Sequence, residues 1–353
     1  MGIRAANEYG FINARIRGMK SRFLTVGDYE SLLQAPSYAE FMKELSDTYY
    51  GQVLSKESPG SIPPPDSFAV ILSKDFADVI SSLTKSLIGR VSDFMTTYLE
   101  FFYSESLKSV VRGVHVGLDR EEMLRFFVPT SPQEAAVFSD LVDSDSISNL
   151  IDRIPERELR VALLTRFPRY EEYNSTVPLE VAVDEWHLQR LTEALEEFSE
   201  SEKERVLDII VPRVVLQNVL TGLRAVTLQF TPRALEVSLI RFPQAKKITR
   251  QIRMATTWRD VFAALRRTRL SRLAERLSRI YEATNDLTGV ELAVRDHIAK
   301  SVKKQLTGYP FHLGTVIGFF SMKQYEIRNL RSIAVGIERG EPAEVIRRMI
   351  TLW

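Results

Sequence analysis

The chain has 353 residues, with 47 basic and 46 acidic side chains, a formal net charge of +1, a 44% hydrophobic fraction and no cysteine. Without cysteine it holds no disulfide scaffold, zinc ribbon, iron–sulfur cluster on thiolates or thiol nucleophile, and its balanced charge excludes a wholesale polycation that coats nucleic acid or membrane. This length suits two or three ordinary domains or one large repetitive one, and a folded chain of this size buries roughly three quarters of its unfolded surface.

The N-terminus, Met1-Gly-Ile-Arg-Ala-Ala-Asn-Glu-Tyr9, lacks the apolar core of a secretory signal, so a soluble intracellular protein is expected. Most of the remaining chain has helical period, alternating strand patterns are scarce, and 16 glycines are few, so the expected fold class is all-α. Ser58–Asp66, SPGSIPPPD, is the clearest linker, because Pro63, Pro64 and Pro65 cannot continue a helix. Shorter breaks are expected at Val128–Pro132, Phe167–Pro178 and Leu306–Pro310. Leu265, Leu273, Leu277 and Ile280 form one apolar stripe, and Ile327, Leu330, Ile333 and Ile337 another; spacings of three and four place each set on one helix face. Phe311–Phe320 is about half a membrane span and contains His312. Its Gly314 and Gly318 therefore read as small residues at a close contact of a buried helix, since GxxxG marks dimerisation only inside a real span.

An internal repeat is the most informative feature. Ser37-Tyr-Ala-Glu-Phe-Met-Lys-Glu-Leu45, Ser146-Ile-Ser-Asn-Leu-Ile-Asp-Arg-Ile154 and Thr257-Trp-Arg-Asp-Val-Phe-Ala-Ala-Leu265 share one pattern. Each has a hydroxyl N-cap that can accept from an orphan amide, and in the first copy Glu40 can complete a capping box. The caps at 37, 146 and 257 are 109 and 111 residues apart. Asn218-Val219 and Asn329-Leu330 also lie 111 apart, as do Glu180-Val-Ala-Val and Glu291-Leu-Ala-Val. Ser106-Leu107 is a copy 112 before Asn218, and Asn13 a weaker one. The reading is one domain, 1–353, of three pseudo-symmetric helical units near 1–105, 106–217 and 218–353, with the first helix type recurring at the C-terminus. Such units form either a closed ring or funnel around a central concavity, or an open arc.

The search for chemistry is negative. There is no GxxxxGK[ST], no GxGxxG after a strand, no HExxH and no GxSxG. His115, His187, His297 and His312 are scattered, and none has a second His within one helical turn, so no zinc site is read and no cofactor or metal is expected. Adjacent acidic pairs such as Glu171-Glu172 and Glu196-Glu197 do not share a helix face and read as solvated surface.

Charge is patchy under the neutral sum. Arg241–Arg279 carries twelve basic residues against Asp260 and Glu275, whereas Glu193–Asp208 carries seven acidic residues against Lys203 and Arg205. Arg266, Arg267, Arg269, Arg272, Arg276 and Arg279 read as the polar side of one helix whose other side carries Leu265, Leu273, Leu277 and Ile280. The bland reading is solvated helix faces that pair across the fold. The functional reading makes Arg266, Arg267, Arg269, Arg272 and Arg276 a docking surface for an acidic partner. A helical-repeat protein that binds nucleic acid through this segment is the alternative; arginine clusters neutralise phosphates, but no aromatic or glycine interleaving accompanies this one. An enzyme with an unrecognised helical site is a third.

Tyr9-Gly-Phe-Ile-Asn-Ala-Arg-Ile-Arg17, with Ser37-Tyr-Ala-Glu-Phe-Met-Lys-Glu-Leu-Ser-Asp-Thr-Tyr-Tyr-Gly51, resembles the opening of the C subunit of A/V-type rotary ATPases, whose eukaryotic counterpart is the d subunit of V-ATPase. Tyr309-Pro310 and Gly318-Phe-Phe-Ser-Met-Lys-Gln-Tyr-Glu-Ile-Arg-Asn-Leu-Arg-Ser-Ile333 are similar to its closing segment, where a glycine-containing stretch leads into a helix with Lys, Glu and Asn-Leu-Arg. The resemblance is carried at both ends and in Glu180–Leu195; the Arg241–Arg279 stretch is outside it. It implies an all-helical funnel of three pseudo-symmetric units, without catalytic residues, in the central rotor. The implied wide mouth receives the D and F subunits of the central shaft, and the narrow face sits on the membrane proteolipid (c/K) ring, at the cytoplasmic face of the membrane. The implied role is to couple ATP synthesis or hydrolysis to proton or sodium transport, with no nucleic acid bound and no membrane span of its own.

Overall fold

Short-range capping divides the chain into helices. A computed structural model describes residues 2–85, 87–125, 127–307 and 309–352; Met1, the side chains of residues 2–8 and Trp353 are outside the described set, and with them most of the stretch read above for a secretory signal. The N-terminal part contains α1 (Gly2–Lys20), α2 (Val26–Leu33), α3 (Tyr38–Leu45), α4 (Tyr49–Glu57) and α5 (Pro65–Thr84). Next come α6 (Arg90–Val116), α7 (Arg120–Leu124), α8 (Pro132–Leu141), α9 (Ile147–Arg153), α10 (Arg157–Tyr173) and α11 (Val177–Ala194). The third stretch holds α12 (Glu200–Thr227), α13 (Pro232–Ser238), α14 (Lys246–Arg253), α15 (Trp258–Arg266), α16 (Ser271–Thr284) and α17 (Leu287–Gln305). Then α18 (Leu313–Glu338) and α19 (Ala343–Met349) close the chain. No strand occurs among the described residues, and the fold is all-α.

The three hydroxyl caps read from the sequence behave alike. Ser37, Ser146 and Thr257 each accept from the amide three residues on, at 3.2 Å in every case. The reciprocal half of the capping box is made by Asp260 in the third copy. Glu40 does not supply it in the first, because its carboxylate instead meets Lys43 one turn ahead, at 3.2 Å. Pro65 opens α5 after the proline-rich linker, where its missing N–H would have had no partner. The break expected within Phe167–Pro178 falls at residues 174–176: α10 runs through Pro168 and stops at Asn174, which is left-handed at φ 45°. The carbonyl that Pro168 cannot serve belongs to Leu164, a residue on the exposed side of the helix.

Three buried apolar clusters share the long helices. One contains Leu107, Val110 and Val111 of α6 with Leu179, Val183 and Trp186 of α11. Another contains Val214, Leu216, Val219 and Leu223 of α12 with Leu265, Leu273 and Val290. The third gathers α1 to α5 and α18 together with Phe94 and Tyr98 of α6, Leu191 of α11, Ile209 of α12 and Val302 of α17. Each of α6, α11, α12 and α17 thus lies half in one cluster and half in the shared one, so the clusters cannot move independently without exposing apolar surface. By length and composition α12 could cross a membrane, yet more than half of its apolar stretch is buried here. Gly314 and Gly318 are buried at close contacts, the latter against Leu306, where a Cβ would come to 3.2 Å.

Asn218 and Asn329 make the same pair of bonds. The Asn218 amide donates to the Ile240 carbonyl at 2.8 Å, and its oxygen accepts from the Ile240 N–H at 2.9 Å. Asn329 does this with Thr351, at 2.8 and 3.0 Å. In both, a side chain on a long helix clamps the backbone just beyond the next short helix, α13 or α19. Replacing either Asn by Ala strands a buried N–H and C=O, so each variant is expected to lose about 2–4 kcal/mol in urea denaturation; a loss within error of zero would refute the clamp.

The C-terminal helix α18 packs against α1, α3 and α5, so the two ends of the chain share one core. Glu326 is 0% exposed and holds this junction: it accepts from the Leu24 N–H at 2.5 Å and from the Tyr50 hydroxyl. Lys323, 6% exposed, donates to the same Tyr50 hydroxyl at 2.6 Å and lies 3.8 Å from Glu326. The Lys323 ammonium also sits over the Tyr50 ring, 4.0 Å from its centre. Gly51 lets the turn before Tyr50 close, because a Cβ there would overlap the Ser46 backbone. Burial pushes the Glu326 carboxyl up against the pull of Lys323, and pushes the Lys323 ammonium down to about 8 against the pull of Glu326 and Asp75. The unfolded chain therefore holds the Lys323 proton more tightly than the folded one. The penalty is full below pH 8, and stability should rise as pH climbs from there toward the ordinary lysine range. Lys323→Met should flatten that rise in urea melts run across this window, and a slope equal to wild type would exclude a buried ammonium.

Candidate partner interface

The arginine stripe does not lie on one helix. Thr268 turns its hydroxyl back onto the Leu265 carbonyl at 2.7 Å and takes the same carbonyl with its amide at 3.1 Å, which ends α15. Arg266 is therefore the last residue of α15, Arg267 and Arg269 occupy the turn, and Arg272 and Arg276 lie on α16. Leu265, Leu273 and Leu277 are still buried together, because the two helices pack against each other. All five arginines are exposed. Arg266 donates to Ser278 at 3.1 Å, and Arg276 pairs with Asp296 at 3.3 Å. Arg267, Arg269 and Arg272 form no ion pair among the described residues. The stripe is thus partly a set of internal pairs and partly free positive charge, centred on the α15–α16 turn.

A second basic surface was not read from the sequence. Helices α6, α11, α12, α17 and α18 line one concavity of about 570 Å³. Its cations fall into two kinds. Lys108 is matched by Glu105 at 2.6 Å and Asp184 at 2.7 Å, and those neighbours hold its ammonium up despite burial. Arg224 is matched by Glu291. Arg112 and Glu180, the corresponding pair between α6 and α11, form a two-pronged bridge at 3.0 and 2.7 Å. Arg213, Arg295 and Arg328 are the other kind. Arg295 reaches only Glu291, at 4.0 Å, and Arg213 and Arg328 form no ion pair or hydrogen bond among the described residues. Arg328 keeps an exposed surface and lies over the Tyr325 ring, 5.7 Å from its centre; partial desolvation holds its guanidinium below the usual arginine range, Tyr325 opposes this, and Arg295 and Arg213 add repulsion. Arg213 interrupts an apolar run, Val211-Pro-Arg213-Val-Val215, and that interruption is a sequence signal that could have found it; Arg295 and Arg328, beside Asp296 and Asn329, carry no such signal.

Three of the four histidines have structural tasks. His187 faces the Thr97 carbonyl at 3.3 Å, His312 caps α18 by accepting from the Thr315 N–H at 3.1 Å, and His115 meets the Tyr170 hydroxyl at 3.2 Å. Burial holds His187 and His312 down to about 4, so both are neutral at physiological pH. Among the described residues no group of three His, Asp or Glu side chains converges to hold a metal ion. What converges instead is charge and shape on a broad concave face, which can bind another macromolecule.

The model of the ATP synthase (C/AC39) subunit family matches residues 12–349. The chain belongs to that family. It is 22% identical to the C subunit of the A-type ATP synthase of Methanocaldococcus jannaschii, covering 98% of this chain and 86% of that protein. It is 23% identical to the C subunit of Pyrococcus abyssi, covering 97% and 90%, and 23% identical to that of Haloferax volcanii, covering 97% of each. The chain is therefore a subunit of a rotary ATP synthase, a membrane-associated complex.

Proposed function

We propose that this protein is the non-catalytic socket of the central stalk, coupling the D and F subunits of the shaft to the membrane proteolipid ring. The observation that carries this reading is the concavity lined by five long helices drawn from distant parts of the chain. Its setting supports it further: α18 returns to the N-terminal helices, and the long helices share one cluster, so a load applied at the concavity passes into the whole core. In this reading the chain is one domain of three units near 1–105, 106–217 and 218–353 around the concavity. The matching caps, the two Asn clamps and the Arg112–Glu180 and Arg224–Glu291 bridges support that division. The protein sits peripherally at the cytoplasmic face and transmits torque between ATP chemistry in the head and proton or sodium flow through the ring.

A tagged chain should co-purify from detergent-solubilised membranes with both the nucleotide-binding subunits and the proteolipid. Recovery of neither overturns the socket reading. We assign the exposed Arg266, Arg267, Arg269, Arg272 and Arg276 to a second contact with an acidic face of the shaft or ring. Charge reversal at Arg266, Arg269 and Arg272 should weaken assembly at physiological salt and leave the unfolding midpoint nearly unchanged, because surface charges contribute little to stability. Unaltered assembly of the triple variant sinks that assignment.

A further inference from the structure

We infer that Arg213, Arg295 and Arg328 form a clamp inside the concavity that takes carboxylate side chains from the tip of an inserted helical partner. This rests on the socket reading and goes further, naming the chemistry that the partner must present. Arg213 lies on α12, Arg295 on α17 and Arg328 on α18, so the clamp joins three separate helices. The carboxylates lining the concavity are Glu105, Asp184 and Glu291, and all are committed: Glu105 and Asp184 to Lys108, and Glu291 chiefly to Arg224. The same wall thus supplies close counter-charges to Lys108 and Arg224, and offers the other three guanidiniums only a distant share of Glu291, through Arg295, and a longer-range pull of Glu105 on Arg328. Arg328 keeps an exposed surface and lies 5.7 Å from the centre of the Tyr325 ring; partial desolvation, and then repulsion from Arg295 and Arg213, hold it below the usual arginine range against the pull of Tyr325 and Glu105. Three guanidiniums with so little counter-charge repel one another across a half-exposed surface, and an incoming anion removes that repulsion.

Guanidinium forks match carboxylate and phosphate alike. The rest of the lining decides between them. Apolar Phe101, Leu188, Ile210 and Ile298 are mixed there with Gln217 and Gln324, a combination that suits the face of an amphipathic helix and offers a small ion nothing. Carboxylates carried on a helix use both parts of the surface.

The test is calorimetric titration of the purified full-length chain with the purified complex of the D and F shaft subunits, at low and physiological salt. Arg213→Gln/Arg328→Gln should weaken binding at least about tenfold and reduce its salt dependence. Arg213→Lys/Arg328→Lys should recover part of the affinity, since charge returns without the bidentate fork. The Gln variant should melt no lower than wild type, because it relieves repulsion; if it does not fold, Arg328→Gln alone is titrated and should still weaken binding severalfold. Wild-type-like affinity and salt dependence in a folded Gln variant overturn the clamp while the socket survives. A wild type that does not bind the shaft overturns the socket reading, and the clamp with it. Inorganic phosphate that stabilises wild type but not the Gln variant, with shaft binding equal in both, points to a small-anion site and overturns the helical partner.

Discussion

A carboxylate with no exposure to water holds the two ends of this chain together. Removing Glu326 from water costs several kcal/mol, and the fold recovers that only through a complete set of partners: the Leu24 N–H, the Tyr50 hydroxyl and the Lys323 ammonium behind it. These groups come from the turn after α1, the start of α4 and the middle of α18, so the set is complete only when the C-terminal helix lies within the N-terminal core. Phe319 and Phe320 then pack against Phe23, Phe76 and Tyr98. An apolar junction of the same area would tolerate small shifts of register. A buried charge with directional bonds does not, because any slip leaves it unpaired.

Closure in this manner gives the concavity its rigidity. The helices that line it are also those that divide their apolar residues between clusters, with α6, α11, α12 and α17 each anchored at both halves. Bending one of them opens two clusters at once. A part proposed to carry torque needs this property, since a soft socket would store rotation as internal strain instead of passing it on. The Asn218 and Asn329 clamps act locally to the same end, tying the segments after α13 and α19 back to the long helices beside them.

Much of the fold is legible in the residues. Caps and apolar spacings act within one or two turns of helix, so Ser37, Ser146 and Thr257 announce their helices without any tertiary information. Asn218 and Asn329 stand out as a recurring pair, although their sequence does not say that they reach 22 residues ahead to Ile240 and Thr351. Local signals misled where two of them compete. The run from Arg266 to Arg279 keeps a helical period across a turn because α15 and α16 bury their leucines in the same cluster; the Thr268 hydroxyl, not the period, ends the helix. Within the break expected at Phe167–Pro178, Pro168 itself stays helical, since a missing amide matters less on the exposed side of α10, and the chain turns only at Asn174.

By itself the sequence determined the all-α class, the three helix starts at Ser37, Ser146 and Thr257, the lack of thiol or metal-motif chemistry and, through its two ends, the family. Each of these depends on short-range bonding or on residue identity. Only the tertiary structure decided which charges are spent and which remain available. Lys108, Arg224, Arg213 and Arg328 look equivalent in the chain, as cations on apolar helices, but the first two find carboxylates across the concavity and the last two do not. The near-neutral sum of 47 basic and 46 acidic side chains hides this, because pairing depends on distance in space and a count of charges contains none.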